Sequence, residues 1–242
     1  MYCKISINKH IIEVTEYDRL NTNAQKPDIV AEYGQSTNYL DNYAKTVQNR
    51  RKTVFDLAIA NFDNLSKFLT LTFAENMQDL KVANYELKKF IQRLSYHLEM
   101  PIEYLAPIEF QDRGAIHYHI LLNIPYVPKS VLTKLWGHGH VKINRITHVD
   151  NLGAYVTKYM TKSNADPRLQ TTKGYLCSKG LDRPRVLKSW NGKGNDMIIK
   201  ALIDNYGLTK ENAVYHQVKD TGDNGKIHYL QYNLKRKPTK KQ

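Results

Sequence analysis

Hydrophobic residues recur at spacings of three and four between Asp79 and Met100, which predicts an amphipathic helix that ends before Pro101. From Phe68 to Phe73 apolar and polar residues alternate in a composition typical of sheets, which predicts a buried strand. By the same criteria helices are predicted at residues 38–61, 129–136, 151–162 and 197–206, and strands at residues 102–110, 115–122, 140–146, 213–219 and 226–233.

The two ends of the chain are less regular. Isoleucines near the N-terminus predict a strand or a hairpin, which is followed by a polar stretch around residues 21–27. The order of strand, helix, hairpin, helix, strand and helix is typical of an α+β fold with a largely antiparallel central sheet flanked by helices. We expect residues 61–165 to form the core, residues 1–60 an N-terminal extension packed on it, and residues 166–242 a basic region that is a candidate DNA contact.

Positive charge is concentrated in the second half of the chain. The net charge is +13, yet residues 1–110 carry 13 Lys and Arg against 14 Asp and Glu, while residues 111–242 carry 23 against 9. A surplus in one region favours a polyanionic partner, because neutralising phosphates releases counterions. A generally basic, solvated surface is the alternative, and the asymmetry favours nucleic acid over it.

The cysteines and the hydropathy exclude several classes of protein. Cys3 and Cys177 form neither a zinc-binding spacing nor a disulfide framework, which suits a reducing cytoplasm. The first ten residues lack the apolar core of a signal peptide, and no run of about 18 apolar residues occurs. We therefore expect a cytoplasmic protein with no membrane partner.

Glu109, His117 and His119 are the candidate metal ligands. Residues two apart on a strand project to one face, so the two histidines point together. If Asp112–Gly114 is a three-residue hairpin loop with Gly114 in the left-handed conformation, Glu109 falls opposite His117, with Cβ atoms roughly 4.5–5.5 Å apart. Two imidazoles and a carboxylate suit a divalent cation, and the sequence does not choose among Mg²⁺, Mn²⁺ and Zn²⁺.

Several alternatives stay open for these three residues. A two-residue loop would place Glu109 on the opposite face of the sheet. The side chains could also form only a solvated polar face, or bind non-haem iron. The chain contains a second His-x-His pair, His138 and His140, which we expect to lie in a turn where neither ring is well oriented.

Tyr155, Lys158, Tyr159 and Lys162 fall on one face of the helix predicted at residues 151–162. A tyrosine oxygen beside a bound cation can attack the phosphorus of a phosphodiester, and a lysine can offset the developing charge. Because the chain has 17 tyrosines, ordinary helix aromatics are the alternative, and only the neighbouring metal triad favours nucleophiles. Together these residues favour a DNA nickase.

Three segments, in this order across roughly residues 60–165, carry a resemblance to a known family. They are the strand motif Phe68–Thr72, Glu109 with the segment Arg113–His119, and the tyrosine segment Gly153–Lys162. At these residues the chain resembles the HUH endonucleases, in particular the replication initiators of rolling-circle plasmids and small single-stranded DNA phages.

The resemblance implies roles for the candidate residues. His117 and His119 would be metal ligands with Glu109 as the third, and Tyr155 and Tyr159 would be paired nucleophiles. One tyrosine would nick the origin and hold the 5′-phosphate, while the other could attack the regenerated origin. The family fold implies a central antiparallel sheet, resembling the ferredoxin and RRM arrangement, with the histidines on an inner strand and the tyrosine helix across it.

The expected substrate is origin DNA that is single-stranded or extruded as a hairpin. A host helicase and a polymerase are expected partners, because no Gly-x-x-x-x-Gly-Lys-Ser/Thr phosphate loop occurs. An HUH transposase or a conjugative relaxase is the near alternative, and a nucleic-acid-binding regulator without catalysis is the distant one. The candidate DNA contacts, of which those in the loop 178–185 could equally be merely solvated, are Arg113, Lys162, Lys179, Arg183 and Arg185.

Overall fold

A computed structural model of the chain describes residues 2–18, 39–160, 166–169, 172–190, 193–194, 196–221 and 225–236. The chain divides into two compact units, Thr37–Asp182 and the terminal segments Met1–Ser36 with Arg183–Gln242. The sequence suggested boundaries near residues 60 and 165 instead. Each unit contains one sheet, and the described strand pairs are all antiparallel, so the predicted α+β class is confirmed.

The described elements follow one another along the chain with short connections. In chain order they are β1 (Tyr2–Asn8), β2 (Ile11–Tyr17), α1 (Tyr39–Asn61), β3 (Lys67–Thr72), α2 (Leu80–Leu98), β4 (Tyr104–Phe110), β5 (Ile116–Leu122), α3 (Lys129–Trp136), β6 (Val141–Asn144), α4 (Leu152–Thr157), β7 (Tyr175–Cys177), β8 (Arg185–Trp190), β9 (Lys193–Gly194), α5 (Asp196–Tyr206), β10 (Tyr215–Asp220) and β11 (Lys226–Asn233). Short 3₁₀ turns occur at Lys158–Met160, Pro167–Leu169 and Lys210–Asn212.

The larger unit contains the five-stranded sheet β6-β3-β5-β4-β7. Helix α2 covers one face of it, because the helix buries a stripe at spacings of three and four: Ala83, Leu87, Phe90 and Leu94. Asp79 caps the first turn, accepting hydrogen bonds from the backbone N–H groups of Lys81 and Val82 at 2.8 and 3.1 Å. The predicted burial of Tyr118 and its apolar neighbours on β5 is confirmed, since these residues form the core beneath α2.

The hairpin between β4 and β5 has the loop that the sequence predicts. The backbone N–H of Gln111 donates to the carbonyl of Ala115 at 2.8 Å, and that of Gly114 donates to the carbonyl of Gln111 at 2.7 Å. Gly114 is left-handed, with φ of 83°. Glu109 therefore lies directly opposite His117, which confirms the predicted register and excludes the two-residue loop.

The smaller unit is built from both ends of the chain. Its six-stranded sheet has the order β10-β11-β2-β1-β8-β9, and α5 packs on it over Ile5, Val14, Leu187 and Leu230. The predicted N-terminal hairpin is confirmed, while β7, β8 and β9 lie in a segment that showed no strand pattern. The polar stretch around residues 21–27 lies outside the described residues. Within the described part of the chain, no helix has the length and hydropathy needed to cross a bilayer.

Candidate active site

One face of the larger unit's sheet carries the candidate metal ligands. The pairings of β5 with β3 and β4 place Thr70 opposite His119, and Thr72 and Glu109 on either side of His117. Directly opposed residues share a face, so these five side chains form one surface, which we call the histidine face. It lies opposite the core beneath α2, as the alternation of β5 predicts.

Glu109 and His119 are in direct contact on this face. The imidazole Nε2 of His119 lies 2.5 Å from a carboxylate oxygen of Glu109, and His119 is only 4% exposed. The Nε2 atom of His117 is also buried, and it has no hydrogen-bond partner among the described residues. Burial lowers the pKa of His117, against the opposing charge of Glu109, and so favours the neutral imidazole that can ligate a metal.

The donor set fits a divalent cation chemically, but its present arrangement does not enclose one. Among the described residues no group of three or more His, Cys, Asp or Glu side chains is disposed to hold a metal ion. Two ligands that each lie about 2.0–2.2 Å from one ion are roughly 3 Å apart, so the contact between Glu109 and His119 would have to open slightly. The unpartnered Nε2 of His117 is the feature that fits a missing ligand.

A hydrogen-bond chain reaches His119 from the edge strand β6. The side-chain amide of Asn144 donates to Thr70 Oγ1 at 3.1 Å, and Thr70 Oγ1 lies 3.2 Å from His119 Nδ1. A group that contacts Nδ1 decides which nitrogen of the ring carries the proton, and so whether Nε2 can serve as a ligand. Thr70 lies in the first motif of the resemblance, but its partner only becomes visible once the strands are paired.

Both candidate tyrosines pack against the histidine face. Tyr159 stacks on His119 with ring centroids 4.0 Å apart, and Phe68 lies 5.4 and 5.5 Å from the rings of Tyr155 and Tyr159. The hydroxyl of Tyr159 donates to the hydroxyl oxygen of Tyr155 at 3.4 Å. The structure thus brings Tyr155 and Tyr159 to Glu109 and His119, as the sequence pattern suggested.

The environment of Tyr159 disfavours its ionised form. Burial raises the pKa of Tyr159, and the hydrogen bond and charge of Tyr155 and the charge of Glu109 act in the same direction. Lys158 partly opposes this in space, since its ammonium lies 3.8 Å from the Tyr155 ring centroid and 4.9 Å from that of Tyr159. Neutralising the Glu109 carboxylate would remove one contribution to the raised pKa.

The tyrosine segment is shorter as an α-helix than predicted. Helix α4 ends at Thr157, and a 3₁₀ turn carries Lys158 and Tyr159. The apolar stripe is confirmed, since Leu152, Val156 and Met160 are buried. Gly153 lets α4 lie close to α1, because a Cβ at this position would come within 2.6 Å of the Phe55 ring.

The candidate DNA contacts are scattered. Arg113 is exposed in the hairpin loop, where its Nε donates to Gln111 Oε1 at 3.0 Å. Lys179 is exposed in a turn of the same unit, and Arg183 and Arg185 are exposed in the other unit. Lys162 lies outside the described residues. The structure therefore brings only Lys158, among the cations singled out in the sequence, to the tyrosines.

The second histidine pair lies in a turn, as predicted. His138 Nε2 lies 2.8 Å from a carboxylate oxygen of Glu86 on α2, and His140 is exposed. Gly139 is required there, because a Cβ would come within 2.5 Å of the backbone of Thr72 and Ala74. This pair joins α2 to the end of β3 and leaves the histidine face to His117 and His119.

Sequence reasoning missed three contributors to the site: Asn144, Asp166 and Arg168. Asn144 carries no local signal because its role depends on the pairing of β6 with β3. Asp166 and Arg168 follow the last motif and hold the hairpin loop, as described below. A polar pair two residues apart in a basic region is too common to be singled out.

The stretch that contains these features is recognisable in other proteins. Residues 66–164 match the family model of the replication-associated protein ORF2. The match begins just before β3 and extends past Tyr159, so it includes the candidate ligands and both tyrosines. It indicates a replication-associated protein and is consistent with an initiator of the rolling-circle type. No curated protein and no solved structure matches the chain.

Proposed function

We propose that the protein initiates rolling-circle replication as a metal-dependent, site-specific nickase and strand transferase for single-stranded DNA. The observation that carries the proposal is the stacking of Tyr159 on His119, which is itself bonded to Glu109. A phenol, two imidazoles and a carboxylate on one face supply a nucleophile beside a candidate cation site. The family match to a replication-associated protein supports the same conclusion.

The proposed first step is a transesterification. A phenolic oxygen of Tyr155 or Tyr159 attacks the scissile phosphorus, and the bond from that phosphorus to the 3′ oxygen breaks. The products are a 5′-phosphotyrosine and a free 3′-OH, so the phenolic proton leaves and the departing oxygen gains one. Lys158 is placed to stabilise negative charge near the phenols, because its ammonium lies over both rings.

The second tyrosine gives the proposed enzyme a second nucleophile. The two hydroxyl oxygens are 3.4 Å apart, so either phenol is near the place that the other would occupy during attack. After a new origin strand has been copied, the free tyrosine would cleave it while the first still holds the 5′ end. The released 3′-OH would then attack the first phosphotyrosine and close a circle.

Glu109, His117 and His119 are the proposed ligands of the divalent cation. When bound, Mg²⁺ or Mn²⁺ would act as a Lewis acid toward the phosphate, and Zn²⁺ is compatible with the same donors. The chain's own contribution is to hold the donors at fixed positions: the hairpin aligns Glu109 with His117, and Thr70 contacts the second nitrogen of His119.

Origin DNA in single-stranded or hairpin form is the proposed substrate, with a host helicase and polymerase as partners. Two exposed lysines border the histidine face. Lys142 on β6 pairs with Thr70, and Lys158 lies over the tyrosines. An HUH transposase or relaxase would use the same chemistry on a different substrate.

A DNA-binding regulator without catalysis is the second candidate. It is favoured by one specific observation, the absence of a formed metal-holding group among the described residues. The two candidates differ in whether the protein becomes covalently joined to DNA.

The decisive experiment exposes the purified full chain to single-stranded oligonucleotides that tile its replicon's origin, with Mn²⁺ or Mg²⁺ or with EDTA. We expect a denaturant-resistant protein–DNA adduct and a matching nick on one origin strand, both absent in EDTA. Replacing both Tyr155 and Tyr159 with Phe should abolish the adduct, while either single change leaves some cleavage. Tyr96→Phe is the matched control, since Tyr96 is 88% exposed on α2.

Three results would contradict the proposal or part of it. Salt-sensitive binding with no adduct on any origin strand would favour the regulator. If one single tyrosine change eliminates all cleavage, the other tyrosine is structural and the paired role is wrong. His117→Ala and His119→Ala should abolish nicking and spare much of the binding, and equal loss in the control His140→Ala would point to general misfolding.

A further inference from the structure

Arg168 makes an unusually complete set of contacts with the β4–β5 hairpin. Its Nη1 donates to the carbonyl of Gly114 at 3.0 Å, and its guanidinium carbon lies 3.8 Å from the ring centroid of Phe110. Phe110 is the last residue of β4 and follows Glu109 directly. Gly114 is the left-handed loop residue on which the alignment of Glu109 with His117 depends. Arg168 therefore contacts the hairpin on both sides of its loop.

Asp166 fixes the orientation of the guanidinium. Arg168 Nε and Nη2 donate to the two carboxylate oxygens of Asp166 at 2.9 and 2.7 Å, a bidentate pair. The pair lowers the pKa of Asp166, chiefly through the side-chain hydrogen bond. Because a guanidinium is planar and carries five donors, it can hold this fork and still direct Nη1 at Gly114, which a lysine ammonium cannot do with the same geometry.

The segment that carries this pair is itself anchored to α1. Nη2 of Arg50 donates to the carbonyl of Leu169 at 2.7 Å, and Arg50 is 7% exposed. The hydroxyl of Tyr43 donates to the carbonyl of Asp166 at 3.4 Å. Arg168 thus extends from a fixed segment, close in sequence to Tyr159, to the loop of the hairpin.

We propose that Arg168, oriented by Asp166, is a positioning residue that fixes the Asp112–Gly114 loop and so holds Glu109 in line with His117. It touches neither the candidate ligands nor the tyrosines, and acts through the loop. The inference rests on the proposed function for its effect on metal binding, while its effect on the loop stands apart from that function. Its consequence is that the chain just after the tyrosine segment preorganises the metal donors.

The test compares Arg168→Gln with wild type by two measurements that do not need DNA. Hydrogen exchange should show faster exchange at the loop amides of Gln111 and Gly114 in the variant, with α2 unchanged. Mn²⁺ binding, followed by the electron paramagnetic resonance of the free ion, should weaken by roughly tenfold, the lower end of the usual loss when a group that supports the ligands is removed. In nicking, the Mn²⁺ concentration for half-maximal rate should rise by a similar factor, while the rate at saturating Mn²⁺ changes little.

The matched control is Arg50→Gln, which loosens the same segment without touching the hairpin. We expect it to lower the melting temperature but to leave the loop exchange and the Mn²⁺ affinity near wild type. If it does not fold, Tyr43→Phe replaces it, because it removes a second contact to the same segment. Arg168→Lys should give intermediate values, since it can still donate to Gly114 without the fork to Asp166.

The outcomes separate this inference from the proposed function. Wild-type loop exchange and Mn²⁺ affinity in Arg168→Gln would overturn it, as would equal loss in the control, which would make Arg168 merely structural. If the wild-type protein binds no Mn²⁺, the proposed metal site fails, and the loop exchange alone decides the inference. Selective loss of loop protection in Arg168→Gln would then support the positioning of the hairpin.

Discussion

The imidazole of His119 lies nearly parallel to the phenol ring of Tyr159, with centroids 4.0 Å apart and planes inclined by 24°. The contact joins the sheet to the turn after α4, two parts of the chain separated by 40 residues. It places a phenol beside a carboxylate-bonded histidine that is almost fully buried.

Tyr159→Phe and Tyr159→Leu separate the ring of Tyr159 from its hydroxyl. Phe keeps the stacking on His119 and should leave the free energy of unfolding nearly unchanged. Leu removes the aromatic pair and should cost about 1 kcal/mol more than Phe. Urea unfolding measures the difference, and equal stability of the two variants would mean that the stacking contributes nothing.

Thr70→Val tests the hydrogen-bond chain from Asn144 to His119. The change keeps the shape but leaves the Nδ1 atom of His119 and the amide of Asn144 without their shared partner, so we expect a loss of about 1–3 kcal/mol in unfolding free energy. Thr70→Ser should recover most of it. The control is Thr72→Val on the same face, which should change stability by less than about 0.5 kcal/mol, and similar losses at both positions would argue against the chain.

Gly153→Ala should force α4 away from α1. The new methyl group would collide with the ring of Phe55, and overpacking of this kind costs about 1–3 kcal/mol. Combining it with Phe55→Leu should restore part of the stability, because the double variant relieves the collision and alanine favours the helix. Thermal unfolding of the single and double variants gives the coupling, and strictly additive losses would contradict this account.

Lys142 and Lys158 should each hold a phosphate of the bound strand. On single-stranded DNA, each lost contact lowers the slope of log affinity against log salt concentration by about 0.7. We expect this change for Lys142→Gln and Lys158→Gln in a fluorescence titration over a range of salt. Lys81→Gln on α2 should leave the slope unchanged, and the same change in all three variants would indicate a diffuse electrostatic effect.

Much of the core could be predicted because its signals are local. The stripe of α2, the alternation of β5 and the loop chemistry at Gly114 act within a few residues, and they sufficed to align Glu109 with His117. The N-terminal hairpin is local in the same way. Its partners β8 and β11 lie about 180 or more residues further along the chain, and no pattern within β1 or β2 identifies them.

By itself the sequence determined the elements of the larger unit, the face on which His117 and His119 lie and the register that brings Glu109 to them. Periodicity and turn geometry depend on neighbouring residues, so they are readable along the chain. Only the tertiary structure decided that Tyr159 stacks on His119, that Asn144 reaches it through Thr70 and that Arg168 holds the hairpin loop. Those contacts join segments that are distant in sequence, and they depend on packing and strand pairing that local patterns do not specify.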